Sequence, residues 1–230
     1  MKAATLAVLN EARAAKRRVC LVRYLDGGEE ALWVDGAAVL GEVPADAAEV
    51  LATALRRDQS ILAATSCGRT FVQVFNPPLR LIVIGAVHIA QALAPMASLA
   101  GYHVTVVDPR RAFATDTRFP AVSISRDWPD EALTALAPDR RTAVVALTHD
   151  PKLDDPGLDV ALRSEAFYIA ALGSRRTHAG RLERLQALGH GATTLARIHG
   201  PAGLDIGAVS PAEIAVAVMA EMTRALRVPG

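Results

Sequence analysis

Four continuous apolar runs, each ending in a small polar cluster, constrain this chain more than any other feature. Leu81-Ile82-Val83-Ile84 leads into Gly85-Ala86-Val87-His88, and Val104-Thr105-Val106-Val107 leads into Asp108-Pro109-Arg110. Ala143 to Leu147 leads into Thr148-His149-Asp150, and Phe167 to Leu172 leads into Gly173-Ser174-Arg175-Arg176. Unbroken apolar runs alternating with helical segments predict a parallel sheet covered by helices on both faces. Ligands of such sheets bind beyond the carboxyl ends of the strands. The four clusters are therefore expected to converge on one crevice.

Composition supports this class. Hydrophobic residues make up 51% of the 230 residues but aromatics only 4%, so the core must be built mainly of Ala, Val, Leu and Ile, as in α/β proteins. The net charge is +1, and no basic stripe carries interleaved aromatics, which argues against a nucleic-acid partner. No run reaches the roughly 18 apolar residues needed to span a membrane, and the first residues lack the apolar core of a signal peptide. Cys20 and Cys67 show no paired spacing and read as reduced thiols. A cytoplasmic location is expected, as is a homo-oligomer.

Two domains are expected, 1–76 and 77–230. The first reads as a small α+β domain: a helix over 3–16, a hairpin of Val19 to Tyr24 and Ala31 to Val34 around Asp26-Gly27-Gly28, a helix over 44–57 opened by Pro44, and a second hairpin around Cys67-Gly68-Arg69. Asn76-Pro77-Pro78 can continue neither helix nor strand and reads as a linker. The second domain reads as Rossmann-like. Its helices are expected near 88–99, 129–137, 156–165, 175–188 and 212–227, with a short third strand near Ala121 to Ile124.

The strand-end clusters have specific chemistry. Gly85 stands between strand and helix, the setting of a dinucleotide fingerprint, but the second glycine of that pattern is Val87 and the third position is Ala90. A valine there would crowd a pyrophosphate, so a tight structural turn explains Gly85 as well as a ligand does. Asp108 lies at the end of the next strand, where an acidic residue either holds a ribose hydroxyl or caps the turn before Pro109. Ser174 can cap a helix whose free N–H groups and nearby Arg175 or Arg176 favour an anion. Two arginines in a first turn oppose the helix dipole, so an anion or carboxylate is expected beside them; a solvated basic turn is the alternative. His88, His149 and His178 lie in these loops without metal-ligand spacing, and structural roles are expected for them. No nucleophile signature and no assignable carboxylate pair stand out.

Read together, Gly-Ala-Val-His-Ile-Ala at 85–90, Val-Val-Asp-Pro-Arg at 106–110, Leu-Thr-His-Asp at 147–150 and Tyr-Ile-Ala-Ala-Leu-Gly-Ser-Arg-Arg-Thr-His at 168–178 form an ordered set. Gly-Leu-Asp-Ile-Gly-Ala at 203–208 and Pro-Ala-Glu-Ile-Ala at 211–215 complete it. In this order they resemble the C-terminal domain of the XdhC/CoxI family, the xanthine dehydrogenase accessory proteins, over roughly residues 77–228. The resemblance implies a chaperone that binds the molybdenum cofactor, protects it during sulfuration and passes it to an apo molybdenum hydroxylase, with a sulfurtransferase as a second partner. It implies molybdopterin or its cytosine dinucleotide as ligand. Two features depart from the family pattern: Val87 replaces a glycine, and no Gly-Gly-Cys-x-Glu segment precedes the domain, so Cys67 lies outside that motif.

The expectation is thus a non-catalytic maturation factor. Its crevice would use Gly85, Ala86, Val87, His88, Asp108, Pro109, Arg110, Thr148, His149, Asp150, Gly173, Ser174, Arg175 and Arg176, and no metal ligands. An oxidoreductase using FAD or NAD(P) on the same fold is the rival reading. A third is an interaction module with a vestigial crevice. Fold alone does not separate them.

Overall fold

The computed structural model describes residues 1–228. The chain divides into two compact units, one ending at Pro77 and the other starting at Pro78.

The first unit is an antiparallel five-stranded sheet in the order β3-β2-β1-β5-β4. Its strands are β1 (Val19–Tyr24), β2 (Glu30–Val34), β3 (Ala37–Leu40), β4 (Ile61–Thr65) and β5 (Gly68–Phe75), and its helices α1 (Ala3–Ala14) and α2 (Ala48–Arg57). Central β1 is apolar on both sides. Cys20 and Val22 join the cluster under α2, with Leu51 and Ala54, whereas Val19 and Leu21 join the cluster under α1, with Leu9 and Ala12. Alternation with period two thus feeds two small cores from one strand. Pro44 leads into a 3-10 turn, Ala45–Ala47, before α2 begins. Edge strand β3 has no counterpart in the sequence expectation: Ala37 to Val39 are exposed, so no burial period marks it.

The second unit bears out the expected α/β class. Its strands are β6 (Leu79–Ile84), β7 (Tyr102–Val107), β8 (Ser123–Ser125), β9 (Thr142–Ala146), β10 (Tyr168–Ala171) and β11 (Ile198–His199). All pair in parallel, in the order β11-β10-β9-β6-β7-β8. Counted from the β8 edge this is 3-2-1-4-5-6, the doubly wound order, and the winding reverses between β6 and β9. The helices are α3 (His88–Leu99), α4 (Pro129–Leu136), α5 (Pro151–Arg163), α6 (Arg175–Ala187), α7 (Ala192–Leu195) and α8 (Pro211–Arg227). Leu81 and Val83 of β6 pack with α3 and α8, and Ile82 and Ile84 pack with α4, α5 and α6.

Helix α5 begins at Pro151, ahead of the expected start near 156. Asp150 accepts the Lys152 amide at 3.0 Å and Pro151 occupies the first turn, a strong start that Pro156 inside the helix disguises in the sequence. Short α7 and two-residue β11 also lie outside the expected elements; neither is long enough to show a period.

Candidate functional site

The reversal between β6 and β9 is where this fold opens a crevice, and the first strand-end turn lies on it. Gly85 has φ +105°, and a Cβ there would overlap Thr148 Cγ2 from the end of β9. Only glycine fits both conditions. Val87 is the N-cap of α3 with φ −90°, so its backbone does not require glycine, and its half-buried side chain packs onto the α3–α8 core. His88 opens α3 and is exposed.

Asp108 is fully buried at the end of β7. Its Oδ2 accepts the Ala86 amide at 2.8 Å and Arg110 Nη2 at 2.7 Å. Its Oδ1 accepts the Arg110 amide at 3.0 Å and Arg110 Nε at 2.9 Å. Four donors use up the acceptor capacity of the carboxylate. Asp108 is therefore a tie between the β6 and β7 loops, and the ribose role drawn from its sequence position has no acceptor left to use. Burial raises its pKa, but the Arg110 and Ala86 hydrogen bonds outweigh that and hold it below the usual carboxylate range.

The loop after β9 is organised by a residue further on. Asp154, in the first turn of α5 and 1% exposed, accepts the Thr148 hydroxyl at 2.6 Å and the amides of Thr148 at 3.3 Å and His149 at 3.1 Å. This holds His149 at φ +61° with its side chain exposed. After β10, Ser174 caps α6 by accepting the Thr177 amide at 3.1 Å. Arg175 and Arg176 are exposed in the first turn, and neither forms an ion pair among the described residues.

One turn along α6, Arg181 is 1% exposed. Its Nη2 donates to the Leu172 carbonyl at 2.9 Å and lies 3.5 Å from Asp154. Its Nε and Nη1 are buried with no hydrogen-bond partner. Burial, first of all, lowers the Arg181 pKa and raises that of Asp154. Both partners are displaced toward neutrality, so this is an ion pair whose desolvation outweighs its mutual attraction. Arg184 is tied to Asp155 at 2.5 Å and 3.1 Å. A cavity of about 280 Å³ opens among His149, Asp154, Arg176, Thr177, Gly180, Arg181 and Arg184.

Residues 81–222 match the family model of the XdhC Rossmann domain. The chain belongs to the XdhC family. It is 32% identical over 148 residues, 64% of its length, to the Escherichia coli molybdenum cofactor insertion chaperone PaoD, and covers 40% of that protein. It is 34% identical over 153 residues, 66% of its length, to a Bacillus subtilis protein named as a probable xanthine dehydrogenase subunit, and covers 44% of it. The chain thus spans less than half the length of these curated relatives. A crystal structure of a xanthine dehydrogenase from Bacillus halodurans has the same fold, with a TM-score of 0.71 at 24% identity over 97% of this chain and 67% of that one.

Within this XdhC domain the expected site residues separate into groups. Gly85, Ala86, Asp108, Pro109 and Arg110 form one bonded corner; Thr148, His149 and Asp150 form a second with Asp154. Gly173 and Ser174 introduce α6, and of the two expected arginines Arg176 lines the cavity while Arg175 does not. The sequence reading did not single out Asp154, Arg181 and Arg184. The signal that could have found two of them is helical spacing. Gly180 and Arg184 lie four and eight residues after Arg176, and Arg181 follows Thr177 by one turn. His178 lies away from any ligand set, its Nδ1 buried without a partner against Gly200. Among the described residues no group of three or more His, Cys, Asp and Glu is arranged to hold a metal, and no helix is long and apolar enough to cross a membrane.

Proposed function

We propose that this chain is a molybdenum-cofactor insertion chaperone for a xanthine dehydrogenase-type enzyme, and that it holds the cofactor by phosphoryl oxygens at the carboxyl ends of β6, β9 and β10. The observation that carries this is the set of three guanidinium groups, Arg176, Arg181 and Arg184, lining a cavity between the loop after β9 and the start of α6. Arg176, exposed and without an ion pair among the described residues, suits an anionic group there. Membership of the XdhC family and the similarity to PaoD support the molybdenum cofactor as that ligand. The cofactor brings the molybdenum and its redox chemistry; this chain's residues bind it, orient it and exclude water until the apo hydroxylase receives it. The dinucleotide form, assistance in sulfuration and docking of a sulfurtransferase belong to the same proposal.

The FAD or NAD(P) oxidoreductase reading is weaker, because Asp108, its expected ribose contact, is spent on Arg110 and Ala86. Titration with molybdenum cofactor, its cytosine dinucleotide, FAD and NAD decides between them. Cofactor binding, weakened by about 1.5–3 kcal/mol in Arg176→Glu, is the expected result. Tight binding of FAD or NAD alone would overturn the proposal.

A further inference from the structure

We infer that the free edge of β4 pairs with the same edge of a second copy of this chain, antiparallel about a two-fold axis, joining their five-stranded sheets into one. An open sheet edge offers free N–H and C=O groups to any strand that meets it, and folded proteins blunt such edges by shortness, charge, proline or a bulge. Among the described residues, three of the four edges of the two sheets are blunted. Strand β8 has three residues and β11 two. Strand β3 has four, and its pairing with β2 slips register between Leu32 and Trp33. Strand β4 has none of these defences. Ile61-Leu62-Ala63-Ala64-Thr65 carries no charge and no proline, and it pairs with β5 in unbroken register from Ile61 opposite Val72 to Thr65 opposite Gly68. Leu62 on this edge is 62% exposed.

The direction of the free groups follows from β5. The Arg69 carbonyl accepts the Leu25 amide at 2.8 Å, on the β1 side of that strand. Alternate residues of a strand bond to opposite neighbours, so Thr70 and Val72 bond toward β4, to Ala63 and Ile61. Leu62 and Ala64 therefore turn their amides and carbonyls away from the sheet. These two positions are symmetric about Ala63. A second copy laid antiparallel along the edge sets Leu62 of one chain opposite Ala64 of the other. Each such pair exchanges two hydrogen bonds, and the two-fold axis makes the pair twice, so four bonds close around a central pair of Ala63 residues. A slip of one residue would set the free groups against positions already bonded to β5, and a slip of two would keep only one of the pairs within the strands.

The side chains agree with this register. Opposed residues of an antiparallel pair lie on one face, so each Leu62 covers an Ala64, large against small, beside the half-buried Phe71 that pairs with Leu62 on β5. Arg69, opposite Ala64 on β5, is held by Asp26 at 2.9 Å, so the row brings no uncompensated charge to the axis. The strand fits itself, as a contact between identical surfaces requires.

Sedimentation equilibrium of the full chain across the micromolar range tests this. A five-residue edge belongs with small, reversible interfaces, below about 1,200 Å², so a concentration-dependent dimer is expected. Ala64→Pro removes two of the four bonds and should raise the dissociation constant at least about tenfold. Leu62→Lys, the charge that natural edges use, should raise it as much. Both substitutions fall on exposed positions whose backbone groups β5 does not use, and if Ala64→Pro fails to fold, Leu62→Lys decides. Mixing Leu62→Lys chains with Ala64→Glu chains should restore pairing, because the new lysine then faces the new glutamate. A dimer indifferent to Leu62→Lys, or a mixture that fails to pair, overturns the inference. So does a chain that stays monomeric throughout, the result expected if the edge instead receives a strand from another protein.

Discussion

Gly85 and Thr148 meet across the β6–β9 reversal so closely that a single added methyl at Gly85 would overlap Thr148 Cγ2. Gly85→Ala should therefore destabilise the domain by backbone strain of about 1–3 kcal/mol plus the clash. Adding Thr148→Ser removes the methyl but keeps the hydroxyl bonded to Asp154, and should recover the clash without the strain. Urea unfolding of both variants measures each part; an undiminished loss in the double variant would mean that the two residues do not press on each other.

Asp108 makes stability depend on acid. Its folded pKa lies below its unfolded value because the Arg110 and Ala86 bonds outweigh burial. Its contribution is thus fully present above the unfolded value of about 3.9 and is lost as pH falls through the folded one. Asp108→Asn should cost about 1–3 kcal/mol at neutral pH and flatten the acid limb below about pH 4. Parallel limbs in the two proteins would contradict this.

Tyr168 donates its hydroxyl to Glu221 Oε2 at 2.7 Å, and the same oxygen accepts the Gly203 amide at 2.9 Å. Burial, aided by Glu221, pushes the phenol pKa up, so the proton stays on Tyr168. Tyr168→Phe should cost about 1–2 kcal/mol, since the buried carboxylate loses its closest donor. A shift in the urea midpoint without a change in slope is the expected form.

The two cysteines should separate cleanly by reactivity. Cys20 is buried in β1, and burial pushes its thiol up to about 12. Cys67 is exposed in the β4–β5 turn. Iodoacetamide should label one thiol per folded chain, at Cys67, and a second only on unfolding. Rapid labelling of Cys20 under native conditions would mean that β1 is less well protected than its packing implies.

The sheet of the second unit was legible because its strands are buried on both faces: Val144 and Val145 point to different cores, yet both must be apolar. Strand β3 was illegible for the opposite reason, since its exposed alanines obey no burial rule. The start of α5 was hidden by Pro156, a residue that usually ends helices rather than sitting inside one. At the site, loop residues could be read because glycine, serine and aspartate have few reasons to follow a strand. Arg181 could not. An arginine on a helix is ordinarily a solvated side chain, and only packing reveals that this one is buried with two nitrogens idle. Asp108 could be read as a ribose contact or as a turn residue before Pro109, and sequence position does not show that Arg110, two residues on, turns back onto its carboxylate.

The alternation along β6 has an evolutionary consequence. Because Leu81 and Val83 serve one core and Ile82 and Ile84 another, the sheet works as a partition between two separately packed layers. Repacking the layer of Leu93 should add independently to repacking that of Leu158. One wall of the protein can then drift in sequence, or be redesigned, while the wall that carries Arg181 keeps its shape.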